Sequence, residues 1–241
     1  MKLRKSPRRF IALALLAGLA YSLGWSHLIS VREIRIKSID SSIVSQLESR
    51  LNQPPNLIKV GEPLARVDKR EIVTRLKTFL WVKDVSVHRN IFSRVVTITV
   101  VPRTPLAKIF NPSNPSQNTY LAADLSLFQA QDSNSSVFSG TGSGQLPLLT
   151  IAAEDRATLG DVKLLLEQLS SASLQPVSVK ATDRQLLATT LNLNGRKVDV
   201  SWGSVKDLAL KIEIVNRLLA MPENSKIKTI DVTDPTAPIV R

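Results

Sequence analysis

Residues 2–29 constrain this chain more than any other stretch. Lys2, Arg4, Lys5, Arg8 and Arg9 come first, with no acid among them, and Phe10 to Ile29 then run twenty residues without a charge. A helix of that length rises about 30 Å, roughly one hydrocarbon core. The Lys/Arg cluster favours the cytoplasmic side. The expectation is a transmembrane helix over residues 10–29, a cytoplasmic basic tail over 1–9, and everything after it outside the cytoplasm. A cleaved signal peptide has the same basic start and apolar core, and Gly18-Leu19-Ala20 offers it a cleavage site. The apolar run continues past that point through Tyr21, Leu23, Trp25 and Leu28, which favours the uncleaved anchor.

The rest of the 241 residues, 43 % hydrophobic overall, are enough for one large domain or two small ones. There is no cysteine, so disulfides, thiolate metal sites and Cys nucleophiles are excluded. The net charge of +12 is uneven. Residues 30–110 hold 15 Lys/Arg against 7 Asp/Glu, whereas residues 111–241 hold 12 against 13. A basic half is compatible with an anionic surface or polymer, or with a merely solvated face.

Val31-Arg32-Glu33-Ile34-Arg35-Ile36-Lys37 alternates with the period of a half-buried strand. Ser41 or Ser42 starts a helix to Leu51, stopped by Pro54-Pro55. Asp68 caps a second helix, with Glu71 in the capping-box position. Trp81 to Arg89 reads as a strand whose phase slips near Asp84-Val85, a bulge signal. Asn90-Ile91-Phe92-Ser93 connects it to a β-branched strand, Arg94–Val101. The order strand, helix, helix, strand, strand predicts a small α+β domain over residues 30–103.

A second domain, 104–241, begins with short strands at Leu106–Phe110, Thr119–Ala122 and Leu125–Phe128. Ser133–Gly144 is rich in Ser, Gly and Asn and reads as a mobile loop. Further strands follow at Leu146–Ile151, Val177–Ala181, Leu186–Asn192 and Lys197–Ser201, the last two joined through Asn194-Gly195. Helices are expected at Thr158–Ser171 and from a Ser204 cap to Met221. A final strand carries Ile227, Thr229, Ile230 and Val232. The expected class is α+β, with helices on one face of a mainly antiparallel sheet.

No catalytic, cofactor-binding or metal constellation emerges. Two histidines, His27 and His88, lack partners at ligand or triad spacing. Gly140-x-Gly142-x-Gly144 precedes no helix and reads as linker. Glu154-Asp155 and Asp231/Asp234 are the candidate carboxylate pairs for glycoside hydrolysis, and capping explains them more simply. Aromatics are 5 % of the chain and absent from the basic clusters, against single-strand nucleic-acid binding. Trp81 and Trp202 read as core anchors.

The order of parts resembles the FtsQ/DivIB family of bacterial division proteins, with the small unit resembling a POTRA domain. Val31–Ile36 resembles the family's juxtamembrane strand. Gly61-Glu62-Pro63-Leu64 with Val67-Asp68 resembles the segment before the second POTRA helix. Leu80-Trp81-Val82 resembles its Pro-Trp-Val junction, and Pro102-Arg103-Thr104-Pro105-Leu106-Ala107 resembles its Glu-Arg-x-Pro-Val-Ala boundary. Ile230-Asp231-Val232 resembles its closing strand. The departures are Lys37-Ser38 for a glycine, Leu80 for proline and Pro102 for glutamate.

The resemblance implies a non-enzymatic divisome scaffold at the division septum, single-pass in the cytoplasmic membrane. It would bind FtsB/DivIC-like and FtsL-like coiled-coil proteins and other divisome members, with no cofactor, nucleic acid or small-molecule substrate, and help control septal wall synthesis. Partner binding would map to the end of the second domain: Thr229, Ile230, Asp231, Val232, Thr233 and Asp234, then Ile239 and Val240 as a further edge strand after Pro235 and Pro238, with Lys211 and Arg217 on the neighbouring helix. An edge strand offers unpaired N–H and C=O groups to an added strand. The alternatives are a POTRA-bearing secretion or outer-membrane assembly component, for which the chain is short, and a wall hydrolase.

Overall fold

The computed structural model describes residues 7–24, 29–38, 41–54, 57–111, 118–130, 138, 145–152, 155–193 and 195–241. The chain divides into two compact units, Met1–Pro102 and Arg103–Arg241. The described residues are α+β, with five α-helices and two sheets.

Helix α1, Pro7–Gly24, corrects the first expectation. Arg8 and Arg9 lie in its first turn, so its apolar length runs from Phe10 to Gly24, about 22 Å of rise against roughly 30 Å of hydrocarbon. No helix among the described residues is long and apolar enough to cross a membrane. The expected span 10–29 and the single-pass localisation drawn from it are overturned. Residues 25–28, which the expectation counted as its outer end, lie outside the described residues.

The rest of the first unit runs β1 (Glu33–Lys37), α2 (Ser41–Leu51), α3 (Lys69–Leu76), β2 (Val82–Asn90) and β3 (Val95–Pro102). The sheet order is β1-β3-β2, with β1 parallel and β2 antiparallel to β3. A parallel neighbour needs a crossover connection, and α2 and α3 supply it. Asp68 caps α3 by accepting from the amides of Arg70 at 2.8 Å and Glu71 at 3.2 Å. Ile43 and Leu47 of α2, Ile72 and Leu76 of α3, and Val96, Ile98 and Val100 of β3 are buried. The register slips between Val82 and Asp84, close to where the sequence phase changes. Arg89 ties a 3-10 turn, Leu64–Arg66, to β2: its Nη1 donates to the carbonyls of Leu64, Ala65 and Val67, each at 3.2 Å.

The second unit holds β4 (Pro105–Ile109), β5 (Thr119–Ala122), β6 (Leu127–Gln129), β7 (Leu148–Ile151), α4 (Arg156–Ser171), β8 (Pro176–Ala181), β9 (Leu187–Leu193), β10 (Arg196–Gly203), α5 (Leu208–Ala220), β11 (Thr229–Asp231) and β12 (Ile239–Val240). Its nine strands are ordered β12-β11-β10-β9-β8-β7-β4-β5-β6. The expected mainly antiparallel sheet is corrected to a mixed one: β10 with β11, β7 with β8, and β4 with β7 are parallel. Helix α4 makes the parallel step between β7 and β8 possible, and α5 does so between β10 and β11.

One face of this sheet carries the core. Leu159, Val162, Leu165 and Leu169 of α4 and Leu208, Ile212 and Val215 of α5 pack there with Val179, Leu187, Leu191, Val198, Val200 and Trp202 of the strands. Alternate strand residues, Ser178 and Lys180, Ala188 and Thr190, Asp199 and Ser201, line a shallow concavity on the other face. Near β5 that reverse face is capped by aromatics. Tyr120 stacks on Phe128 at 5.5 Å, and Phe138 meets Phe128 edge-on at 5.3 Å. Phe138 falls inside the stretch expected to be a mobile loop, 133–144, yet it is buried; the rest of that stretch lies outside the described residues.

Candidate partner-binding edge

Strand β11 is interior, not the outermost strand. It pairs in parallel with β10, Val200 opposite Ile230 and Ser201 opposite Asp231, and antiparallel with β12, Ile230 opposite Val240 and Asp231 opposite Ile239. Both of its backbone sides are therefore occupied. Ile230 is buried, and so is Val232, whose amide donates to Ser201 O at 2.9 Å. The further edge strand expected at Ile239-Val240, after Pro235 and Pro238, is present as β12, and it takes the outermost place that Thr229–Asp234 would otherwise hold.

The available edge belongs to β12. Thr229 and Arg241 exchange both backbone bonds, N to O at 3.0 Å each way. In an antiparallel ladder the next pair along, Val240 with Ile230, is then the non-bonded kind. The N–H and C=O of Val240 thus point away from β11, on the outer side of the last strand of the sheet. Pro238 has no N–H to offer. The edge presents one full donor–acceptor pair, beside an Ile239 side chain 51 % exposed.

The turn that brings β12 back is built from its own carboxylates. Asp231 Oδ1 accepts from the Thr233 amide at 2.9 Å. Asp234 Oδ1 accepts from the Thr236 hydroxyl at 2.7 Å and its amide at 2.9 Å, and those bonds hold the Asp234 carboxyl below its ordinary range. Thr233 lies against Gly203, whose φ of +67° falls in the region that favours glycine. Asp231 and Asp234 are thus turn-forming groups. Asp155 is likewise committed, capping α4 through the Ala157 and Thr158 amides at 3.0 and 2.9 Å. Glu154 and His27 lie outside the described residues, and His88 is exposed on β2. Among the described residues no group of three or more His, Cys, Asp or Glu could hold a metal ion.

Lys211 and Arg217 part company. Arg217 is exposed on α5 and pairs with Glu213 one turn earlier, at 2.5 Å. Lys211 is 2 % exposed, so it offers no surface contact. Its Nζ donates to the carbonyls of Trp202 at 2.7 Å and Ser204 at 3.0 Å. Burial lowers its pKa, opposed by the charges of Asp207, Asp231 and Asp234. The expected Ser204 cap is absent too: Ser204 Oγ accepts only a long 3.4 Å bond from the Lys206 amide, and α5 begins after Asp207 at φ +52°.

No protein-family model and no curated protein matches the chain.

Proposed function

We propose that the chain is a non-enzymatic scaffold of the division machinery, of the FtsQ/DivIB kind, and that it takes an extended segment of an FtsB/FtsL-like pair onto β12. The observation that carries this reading is the outward N–H and C=O of Val240 beside a half-exposed Ile239, at the end of a nine-stranded sheet. An incoming strand finds its hydrogen bonds there and an apolar side chain to pack on. The edge is short and preceded by Pro235 and Pro238, which limits pairing with unintended strands. Affinity then depends on few backbone bonds, and the partner's side chains supply the rest.

The test is a pull-down of an FtsB/FtsL-like pair by the full chain. Val240→Pro removes the outward donor, and partner binding should weaken about tenfold, the worth of one ladder bond with its desolvated acceptor. Val240→Ala keeps the donor and should bind nearly as wild type. Equal binding by a folded Val240→Pro chain would overturn the edge reading.

A further inference from the structure

Among the described residues the most exposed large apolar side chain is Phe92, 98 % exposed, in the β2–β3 connection, beside Ile91 at 59 %. This tip is held rigidly outward. Asn90 Oδ1 accepts from the amides of both Phe92 and Ser93 at 3.0 Å. Arg94 turns the chain back at φ +57°, and the ladder closes at once with Asn90 opposite Val95 and Arg89 opposite Val96.

The collar around the tip is basic. Arg94 is exposed, and its carbonyl accepts from the Arg32 amide at 2.8 Å, which places the exposed Arg32 beside it. Glu33, opposite Val95, is the acid beside them; Arg35 holds its carboxylate through bonds of 2.6 and 2.9 Å, and Arg32 also acts on its charge. Residues 30–102 hold thirteen Lys/Arg against seven Asp/Glu.

A convex apolar pair with two exposed arginines on the adjoining backbone fits a surface that yields around it and carries negative charge. A phosphate-rich headgroup layer does both: the ring reaches the acyl boundary while the cations stay among phosphates. We propose that the Asn90–Arg94 tip docks on the surface of an anionic bilayer to headgroup depth, without crossing it. The tip stands on its own geometry and draws nothing from α1.

The test places a reporter at the tip itself. Phe92→Trp in the full chain is compared with wild type by difference fluorescence, with vesicles of phosphatidylglycerol and phosphatidylcholine or of phosphatidylcholine alone. The emission of the introduced indole should move to the blue, and brominated acyl chains should quench it, only on the phosphatidylglycerol vesicles. Removing the collar with Arg32→Gln and Arg94→Gln should weaken partition roughly thirtyfold at low salt, from two basic contacts. Three outcomes overturn the proposal. The chain sediments with vesicles while the introduced indole stays water-exposed; it does not sediment at all; or the indole emission shifts without lipid as protein concentration rises, which would make the tip a knob for a second copy of the chain.

Discussion

Lys211 of α5 donates to the main-chain carbonyl of Trp202 at 2.7 Å, at the place where β10 falls out of register with β9. The irregularity between Ser201 and Gly203 leaves Trp202 without a cross-strand partner, and the buried ammonium supplies a donor for its carbonyl. The Trp202 indole N–H meanwhile donates to Thr189 Oγ1 at 2.9 Å. Helix, bulge and core tryptophan are locked together. Lys211→Met, which keeps the stem and loses the donors, should destabilise the second unit by about 2–3 kcal/mol at pH 7. Urea denaturation of the two proteins measures the difference, and equal midpoints would mean that the Trp202 carbonyl needs no buried donor.

The same lysine gives a pH signature. Its folded pKa is lowered by burial, so between that value and the unfolded one near 10.5 the unfolded chain holds more protons than the folded chain. Stability from this group therefore rises with pH across that window and is flat below it. Urea denaturation from pH 7 to about 10.5 should show the difference between wild type and Lys211→Met growing as pH rises. A constant difference would mean that Lys211 titrates alike in both states.

Gly203 is required twice over. Its φ of +67° disfavours any side chain, and a Cβ there would stand 2.7 Å from Thr233 Cγ2. Gly203→Ala should lose about 2–3 kcal/mol from backbone strain and overpacking together. Adding Thr233→Ser removes the clashing methyl and should recover the packing part, leaving the backbone part. Thermal melts of the single and double variants separate the two. No recovery in the double variant would show that Thr233 yields freely.

These particulars mark where the sequence could be read and where it could not. Asp68 and Asp155 announce helix starts because a cap is a local bond to an amide two or three residues on. Ile43, Leu47, Ile72 and Leu76 announce buried faces because helical spacing is local too. The parallel steps of the mixed sheet leave no local mark, since strand order is decided by how α4 and α5 pack. Lys211 read as a surface cation because nothing nearby in sequence shows that a bulge nine residues earlier needs a donor. Ile239 and Val240 are legible as a further edge strand because Pro235 and Pro238 set them off from β11, and they decide that β11 is interior. A count of uncharged residues overstates α1, whose described apolar length starts after Arg9 and ends at Gly24.

Trp81 stands at the turn from α3 to β2, 2 % exposed, its ring 5.4 Å from that of Phe79. Trp81→Ala should lose about 3–5 kcal/mol through the cavity it leaves. The loss should fall on the first unit. Hydrogen exchange should then show faster opening of β2 and β3, with protection in β8 to β10 unchanged. Equal acceleration in both units would mean that they unfold as one cooperative block.

Phe138 tests how the reverse face of the second sheet is closed. Tyr120 lies opposite Lys108, and the neighbouring pair Leu121 and Ala107 faces the helix-covered core. Tyr120 therefore points to the other face, where Phe138 sits 6.1 Å from its ring and 5.3 Å from that of Phe128. Three aromatics make a second, smaller core there. Phe138→Ala should lose about 3 kcal/mol through the cavity it leaves between the rings of Tyr120 and Phe128. Phe138→Leu should lose less than half of that. Near-ultraviolet circular dichroism should weaken in the tyrosine region for Phe138→Ala, since Tyr120 loses a packing neighbour. A melting temperature and tyrosine signal both equal to wild type would show that Tyr120 and Phe128 close that face without it.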